Sequence, residues 1–201
     1  MVPSQIALPA LVLLGALLVD RLFGDPHSPY HPVALLGRFI GWWGRPDLFP
    51  YQVQRFFGVI FWFITATLFA LPFYLFAKMA PWFLYLLFAP FLLKSCFAAR
   101  SLEEHTLAVV AALKDGIGNG REQVQLLVSR NTAQLDRQHI LSAGYESMTE
   151  NLTDSIISPL LFFSVFGLAG AAVYRAANTM DAMLGYRDKR ERIGWCPARM
   201  D

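Results

Sequence analysis

Apolar residues fall into four long runs, and the polar residues are gathered between them. The runs cover residues 3–19, 56–77, 81–97 and 156–174. About 20 apolar residues are long enough to cross a bilayer as a helix. The first run reaches that length only if the first few residues contribute. The pattern predicts an all-α, polytopic helical membrane protein, a single membrane-embedded domain over residues 1–201.

Polar positions between the runs also follow a helical spacing. Residues 98–155 alternate charged and apolar positions, which predicts a cytoplasmic region of amphipathic helices. A short amphipathic helix at the membrane interface is predicted over residues 34–43. The glycine-rich residues 115–120 predict a flexible turn. Ser129 or Thr132 is predicted to cap the helix that follows.

The composition narrows the function classes. Hydrophobic residues make up 55% of the 201 and charged residues 16%, and the mean hydropathy is +0.40. These values are typical of an integral membrane protein. The net charge of +2, without a basic stripe, argues against a nucleic-acid partner. Cys96 and Cys196 show no metal-ligand spacing and are compatible with a reducing cytoplasm.

Lysine and arginine are concentrated before residue 56, between residues 94 and 137, and again in the polar C-terminal segment 175–201. The positive-inside rule places all three regions in the cytoplasm. A full crossing by residues 156–174 would place the segment 175–201 on the opposite side of the membrane from the other two regions. We therefore predict that this run dips into the membrane and returns, or is buried among the other helices. The expected location is the cell inner membrane, with the active face cytoplasmic.

Three carboxylates precede the last apolar run at intervals of four residues. In a helix each such step advances by only about 40° around the axis, so Glu146, Glu150 and Asp154 form one stripe. The nearest basic residues along the chain are Arg137 upstream and Arg175 downstream. A divalent ion would relieve the repulsion, so the stripe predicts a magnesium site. The alternative is a solvated acidic face.

Two further regions carry candidate chemistry. A proline-punctuated loop contains Asp25 and His31, residue types that commonly approach a phosphate or a metal. Arg130 stands before a predicted helix, where a guanidinium binds phosphate well. A second polar cluster follows the last apolar run and contains Arg175, Asn178, Asp181 and Tyr186. For Asp25 the alternative is an interfacial turn residue, and for His31 it is a buried hydrogen-bond partner.

Several ordered motifs cover nearly the whole chain. They are Gly24-Asp25-Pro26 with His31-Pro32-Val33, Ala99-Arg100-Ser101-Leu102-Glu103-Glu104-His105, Val128-Ser129-Arg130, Glu146-Ser147 with Glu150-Asn151-Leu152-Thr153-Asp154, and Asn178-Thr179 with Asp181, Met183, Gly185 and Tyr186. As a set they resemble the cobinamide synthase family (adenosylcobinamide-phosphate synthase, CobD/CbiB-like) of cobalamin biosynthesis. Two departures stand out. Asn131 replaces the usual aspartate, and the family's further C-terminal apolar segments are not in this chain.

The resemblance implies ATP-dependent amide formation. A propionate carboxyl of adenosylcobyric acid is joined to (R)-1-amino-2-propanol or its phosphate, with Mg²⁺ and with ATP as co-substrate. The implied roles are magnesium binding by Glu146, Glu150 and Asp154 with Asp181 as a further candidate, phosphate binding by Arg130 and Arg175, substrate contacts by Asn151, Asn178 and Tyr186, and a base at His31 or Asp25. For both asparagines the alternative is a hydrogen bond that ties helices together.

Two other functions are open at this stage. Carboxylates beside a broken, glycine-containing apolar segment also describe an ion-coupled transporter. A non-catalytic scaffold that binds a corrinoid or other cobalamin-pathway enzymes is the third possibility. In every case the lipid bilayer is an expected partner.

Overall fold

The computed structural model describes residues 7–25, 28–128 and 130–200, which form helices and turns without a strand. The chain divides into two compact units, a larger one from residues 1–97 and 158–201 and a smaller one from residues 98–157. The smaller unit begins at the same residue as the predicted helical region 98–155 and ends two residues later.

Nine α-helices account for most of the described residues. They are α1 (Ala7–Phe23), α2 (Pro32–Trp43), α3 (Gln54–Met79), α4 (Trp82–Lys94), α5 (Ala99–Asp115), α6 (Ile117–Gln125), α7 (Arg137–Leu152), α8 (Ser158–Leu184) and α9 (Pro197–Met200). A π-helix, Thr153–Ile157, joins α7 to α8. Within the described residues, three helical stretches are long and apolar enough to cross a membrane: Tyr51–Met79, Trp82–Asp115 and Arg137–Leu184. This confirms the predicted class of helical membrane protein.

The larger unit is built around α8, which packs against α2, α3, α4 and α9, while α1 packs against α4. The predicted helix at residues 34–43 begins earlier, at Pro32, because proline suits the first turn of a helix. One face of α2 is buried through Leu36, Ile40 and Trp43, which join a core with Met180 of α8. The Trp43 ring also stacks on Phe61 of α3, with centroids 5.4 Å apart.

Helix α8 bends sharply at Gly167, where the backbone is non-helical at φ 68° and ψ −160°. The rings of Phe162 and Tyr174 lie 5.0 Å apart across this bend. In a straight helix, 12 residues rise about 18 Å, too far for such a contact. The two arms of α8 therefore fold back on each other. A segment that enters a membrane and returns requires this geometry, and its re-entry stays a prediction.

Gly170 makes the bend possible because a side chain there has no room. A Cβ at Gly170 would lie 2.6 Å from the Phe162 carbonyl oxygen and 2.4 Å from the Phe166 Cβ. Gly170→Ala is therefore expected to lower the free energy of unfolding by about 2–3 kcal/mol. Unfolding by SDS in mixed micelles measures the change.

Gly118→Ala is the matched control, since a Cβ at Gly118 in α6 meets no atom within 4 Å. This substitution is expected to be neutral or to stabilise by up to about 1 kcal/mol, the usual gain from alanine in a helix. Equal effects of the two substitutions would contradict the folded-back packing of α8.

The smaller unit packs α5, α6 and α7 around one apolar core. Its buried residues are Val109, Leu113, Val124, Ile140 and Ala143. The predicted flexible turn at residues 115–120 is wrong, because Gly116 alone, at φ 147°, makes the break and α6 begins at the next residue. Gly120 serves packing instead, since a Cβ there would lie 2.6 Å from the Leu113 side chain.

The predicted cap of α7 is also corrected. Asp136 is the N-cap, and its side chain accepts a hydrogen bond from the His139 backbone N–H at 2.9 Å. Thr132 is not the cap, because its hydroxyl donates to the Arg121 carbonyl oxygen at 3.0 Å. Ser129, the other candidate, lies outside the described residues.

Candidate functional site

The larger unit contains a buried ion-pair cluster centred on Lys94, the last residue of α4. The Lys94 Nζ lies 2.9 Å from Asp20 Oδ1 and 2.6 Å from Asp25 Oδ1. The side chains of Lys94 and Asp20 are only 6% and 4% exposed, whereas that of Asp25 is 31% exposed. One ammonium thus holds two carboxylates at the C-terminal end of α1.

Sequence reasoning missed both Lys94 and Asp20. Asp20 directly follows the first apolar run and Lys94 stands near the end of the third, where a charged residue ordinarily marks the membrane boundary. Only the packing of α1 against α4 brings the two together. The sequence offered one signal for this pair. Asp20 and Lys94 stand near the ends of two apolar runs, and the positive-inside rule places both ends on the same side of the membrane.

His31 precedes α2 and lies within the electric field of this cluster. Burial lowers the pKa of His31 below its ordinary value of 6.5, Lys94 and Arg175 lower it further, and the Asp25 carboxylate opposes them. The imidazole is therefore neutral at neutral pH and can accept a proton. The structure brings together Asp25, His31 and Arg175, three residues predicted for the site. With Lys94 and Asp20 they are called the Lys94 cluster below.

Arg175 contributes a buried guanidinium nitrogen without a described hydrogen-bond partner to the Lys94 cluster. It follows the bend of α8, and its Nε is buried without such a partner among the described residues. Guanidinium stays protonated at any physiological pH. Burying a charged group without a hydrogen bond is costly unless a ligand completes it. A carboxylate or phosphate is the ligand that matches a guanidinium.

The lowered pKa of His31 predicts a pH dependence of stability. Just below pH 6.5, His31 binds a proton in the unfolded chain but not in the native protein. The contribution of His31 to stability is therefore fully present above pH 6.5 and is lost as the pH falls through the native pKa. His31→Gln is expected to flatten this slope in unfolding measured between about pH 5 and pH 8. His139→Gln is the control, because His139 is 70% exposed, and it should retain the slope. A slope that survives in His31→Gln would exclude His31 as its source.

The acidic stripe of the smaller unit is not assembled as predicted. Glu146 pairs with Arg130, whose Nη2 lies 2.5 Å from Glu146 Oε2, so a cation from 16 residues upstream offsets part of the negative charge of the stripe. Asp154 falls in the π-helix, which departs from the four-residue spacing of an α-helix. Glu150 is exposed on α7.

No group of three or more histidine, cysteine, aspartate or glutamate residues in the described part of the chain could hold a metal ion. Glu146, Glu150 and Asp154 do not form such a group in this structure, and their role as metal ligands stays a prediction. The group does not form because Glu146 pairs with Arg130 and the helix type changes before Asp154. Magnesium as a cofactor also stays a prediction.

Asn151 lies beside a cavity of about 120 Å³ in the smaller unit. Its amide donates to the Ser147 carbonyl oxygen at 2.9 Å, and the Ser147 hydroxyl donates to the Leu127 carbonyl oxygen at 3.0 Å. The hydrogen bonds of Asn151 thus stay within α7, and it is Ser147 that ties α7 to the segment after α6. The Asn151 side chain also lines the cavity, as do Ser101, His105 and Ser155.

The remaining predicted residues lie at the end of α8. Asn178 and Asp181 are half-buried on this helix. Asp181 Oδ1 lies so close to Gly185 that a Cβ at Gly185 would be only 2.1 Å from it. Tyr186 carries the Arg190 guanidinium 4.4 Å from its ring centroid. Hydrogen bonds from Arg190 also lower the pKa of Asp188 to about 2, so Arg190 is held in place over the tyrosine.

Comparison with known proteins decides the family. The family model described as CobD/Cbib protein matches residues 13–201. The chain belongs to the CobD/Cbib family. A probable cobalamin biosynthesis protein CobD from Pyrococcus abyssi is 43% identical to this CobD/Cbib chain over 202 residues, covering 95% of the chain and 65% of the relative. No solved structure matches.

Other relatives agree. A probable cobalamin biosynthesis protein CobD from Methanothermobacter thermautotrophicus is 39% identical, covering 94% of this CobD/Cbib chain and 63% of the relative. The cobalamin biosynthesis protein CobD from Dehalococcoides mccartyi is 34% identical, covering 95% and 64%. The chain thus spans less than two thirds of the length of these curated relatives. The predicted family is confirmed, and it is a family of cobalamin biosynthesis.

Proposed function

We propose that this protein is an ATP-dependent amide ligase of cobalamin biosynthesis. It joins a propionate carboxyl of adenosylcobyric acid to (R)-1-amino-2-propanol or its phosphate, on the cytoplasmic face of the inner membrane. Family membership supports the pathway. The single observation that carries the chemistry is the buried Nε of Arg175, which lacks a hydrogen-bond partner among the described residues and lies within the Lys94 cluster. Such a group calls for an anionic substrate.

The proposed reaction has two steps. A carboxylate oxygen of the corrinoid attacks the γ-phosphorus of ATP, and ADP leaves. The amine then attacks the carbonyl carbon of the acyl phosphate, phosphate leaves with the former carboxylate oxygen, and the nitrogen loses a proton. Both steps develop negative charge on oxygen, which a fixed guanidinium stabilises.

Residues of the Lys94 cluster fit these steps. Arg175 would bind the reacting carboxylate and its phosphorylated form, because its Nε is buried and oriented by α8. His31 would accept the proton of the amine, since its lowered pKa keeps the ring neutral. Lys94 would position Asp25 through the 2.6 Å ion pair.

Magnesium enters this proposal as part of the MgATP substrate. The donor set does not fit a protein cage, because no three suitable ligands converge among the described residues. Mg²⁺ that arrives on a nucleotide needs only one or two carboxylates besides the phosphates.

The test is the dependence of ATP consumption on both organic substrates. The purified protein in lipid nanodiscs should release ADP only when adenosylcobyric acid and the amine are present together, with one amide formed per ATP. ATP turnover that ignores either substrate, or no turnover with both, would exclude the proposed ligase.

An ion-coupled transporter is the second candidate, and the bend at Gly167 favours it. Broken membrane helices frame the substrate sites of many transporters. In sealed vesicles, a transporter would accumulate its solute in response to an ion gradient without ATP hydrolysis. The ligase would show amide formation in open membranes, where no gradient exists.

A further inference from the structure

We propose that a pocket beside the C-terminal end of α8 binds the phosphodiester headgroup of an anionic phospholipid. The site goes beyond the proposed ligase activity and does not depend on it. The pocket has a volume of about 310 Å³ and is lined by residues of the segment 185–195 and of α9, all within the larger unit. At about 30 Å³ for each water-sized group, this volume holds about ten non-hydrogen atoms, the size of a glycerol phosphate.

The wall of the pocket is fixed to the start of a helix that can cross a membrane. A Cβ at Gly58 of α3 would collide with the carbonyl oxygen of Ile193, so the two backbones touch. The guanidinium of the neighbouring Arg192 lies 4.1 Å from the ring centroid of Tyr51. Tyr51 and Gly58 belong to the stretch Tyr51–Met79, which is long and apolar enough to span a bilayer. The pocket therefore lies near the end of this stretch, where lipid headgroups meet a membrane helix.

The chain around the pocket is strongly basic. Residues 185–199 contain five lysine or arginine residues and two acidic residues, a net charge of +3, whereas the whole chain carries +2. The positive-inside rule assigns such a segment to the cytoplasmic side. Basic residues at that surface attract anionic lipids, and basic pockets between membrane helices bind their headgroups. An anionic headgroup therefore complements this segment.

Two arginines, Arg187 and Arg199, line the pocket itself. The Trp195 ring orients Arg199, whose guanidinium lies 5.0 Å from the ring centroid. No described residue forms an ion pair with Arg187. Arg190 differs, because it pairs with Asp188 at 2.6 Å and is not part of the lining. The pocket thus presents two guanidinium groups that no described carboxylate neutralises, and the guanidinium fork matches two oxygens of a phosphate.

The charge of the lining favours a phosphodiester over other phosphates. Glu191 also lines the pocket, so two positive side chains and one negative side chain give the lining a formal charge of +1. A phosphodiester carries a single negative charge, whereas a phosphate monoester carries about −1.5 to −2 at neutral pH. The two aromatic rings of the lining each carry a guanidinium, Tyr186 that of Arg190 and Trp195 that of Arg199. This arrangement favours a ligand without a base to stack.

Fluorine NMR offers a direct test, because Trp195 lines the pocket and is 37% exposed, whereas Trp43 is fully buried in the core. Protein labelled with 5-fluorotryptophan in neutral detergent micelles is titrated with phosphatidylglycerol, with phosphatidylcholine of the same chain length, and with glycerol phosphate. The Trp195 signal, assigned through Trp195→Phe, should shift and saturate with phosphatidylglycerol while the Trp43 signal stays. Phosphatidylcholine and glycerol phosphate should each bind at least tenfold more weakly.

Variants of opposite expected sign test the contacts. Arg187→Gln and Arg199→Gln should each raise Kd for phosphatidylglycerol about tenfold, as expected for lost hydrogen bonds to a charged group. Glu191→Gln should lower Kd about twofold to fivefold, because it removes a like charge from an exposed site. All three side chains are exposed, so the fold should tolerate the changes.

Lys189→Gln is the matched control. Lys189 is exposed, lies two positions from Arg187 and is not part of the lining, so its replacement removes the same charge from outside the pocket. It should leave Kd within about twofold, since an exposed charge outside the pocket is largely screened by salt.

Three results would overturn the inference. Equal affinity for phosphatidylglycerol and phosphatidylcholine, or no shift of the Trp195 signal, would exclude an anionic headgroup. Equal effects of Lys189→Gln and Arg187→Gln would reduce the attraction to the overall charge of the segment. Glycerol phosphate bound as tightly as the lipid would reject the lipid and assign the pocket to a soluble phosphate.

Discussion

Lys94→Met is expected to lower the free energy of unfolding by about 3–5 kcal/mol, as is usual when one partner of a buried ion pair is removed. The Lys94 Nζ is the cation 2.9 Å from Asp20 Oδ1, and both side chains are almost fully buried. Methionine nearly preserves the volume of the lysine stem, so the loss reports charge rather than a cavity. SDS unfolding in mixed micelles measures it.

Two further variants separate this pairing from other causes. Lys78→Met removes an exposed lysine near the end of α3 and should change stability by less than about 0.5 kcal/mol. Asp20→Asn combined with Lys94→Met removes both buried charges and should recover at least half of the loss, because replacing a whole pair is often nearly neutral. A double variant as unstable as Lys94→Met alone would contradict the pairing.

Arg175→Met is expected to lower kcat/KM for amide formation by about 10²–10³-fold, the usual cost of losing one group that stabilises charge in a transition state. Its effect on stability should be opposite to that of Lys94→Met. The Arg175 Nε has no hydrogen-bond partner among the described residues, so removing the guanidinium relieves a burial cost rather than breaking a pair. Stability should stay constant or rise, a trade-off common at functional sites.

Arg55→Met is the matched control for Arg175→Met. Arg55 is exposed at the start of α3, with its guanidinium 5.7 Å from the Trp195 ring centroid. Its replacement should leave kcat/KM within about threefold, since surface substitutions usually have small effects. Full activity in Arg175→Met, or a loss of stability as large as that of Lys94→Met, would show that Arg175 is a structural residue.

The sequence predicted the helices well because apolar runs report helix length directly. The positive-inside rule allowed for a reversal within residues 156–174, but it could not place the bend at Gly167, which goes with the contact of Phe162 with Tyr174 across the two arms of α8. Glycine and small residues in the run suggested close packing, but they do not reveal where a helix reverses. The same limit applies to Gly120, whose role is contact with Leu113 rather than a turn.

The candidate site was predicted in part for a related reason. Asp25, His31 and Arg175 stand out in the sequence as polar residues near apolar runs, and folding does place them together. Distance along the chain did not reveal which cation lies beside the carboxylates of α7. Arg130 is 16 residues from Glu146 in sequence yet forms an ion pair with it. Tertiary packing decides which distant charges form pairs, and the spacing of residues along the chain does not show it.

Transfer of oxygen from the substrate carboxylate to phosphate tests the central claim most directly. Adenosylcobyric acid labelled with ¹⁸O in the reacting carboxyl is converted by the protein with ATP and the amine, and the products are analysed by mass spectrometry. An acyl phosphate intermediate predicts one ¹⁸O in inorganic phosphate for each amide formed. Amide formation with unlabelled phosphate, with label in AMP, or no amide at all would contradict the proposed reaction.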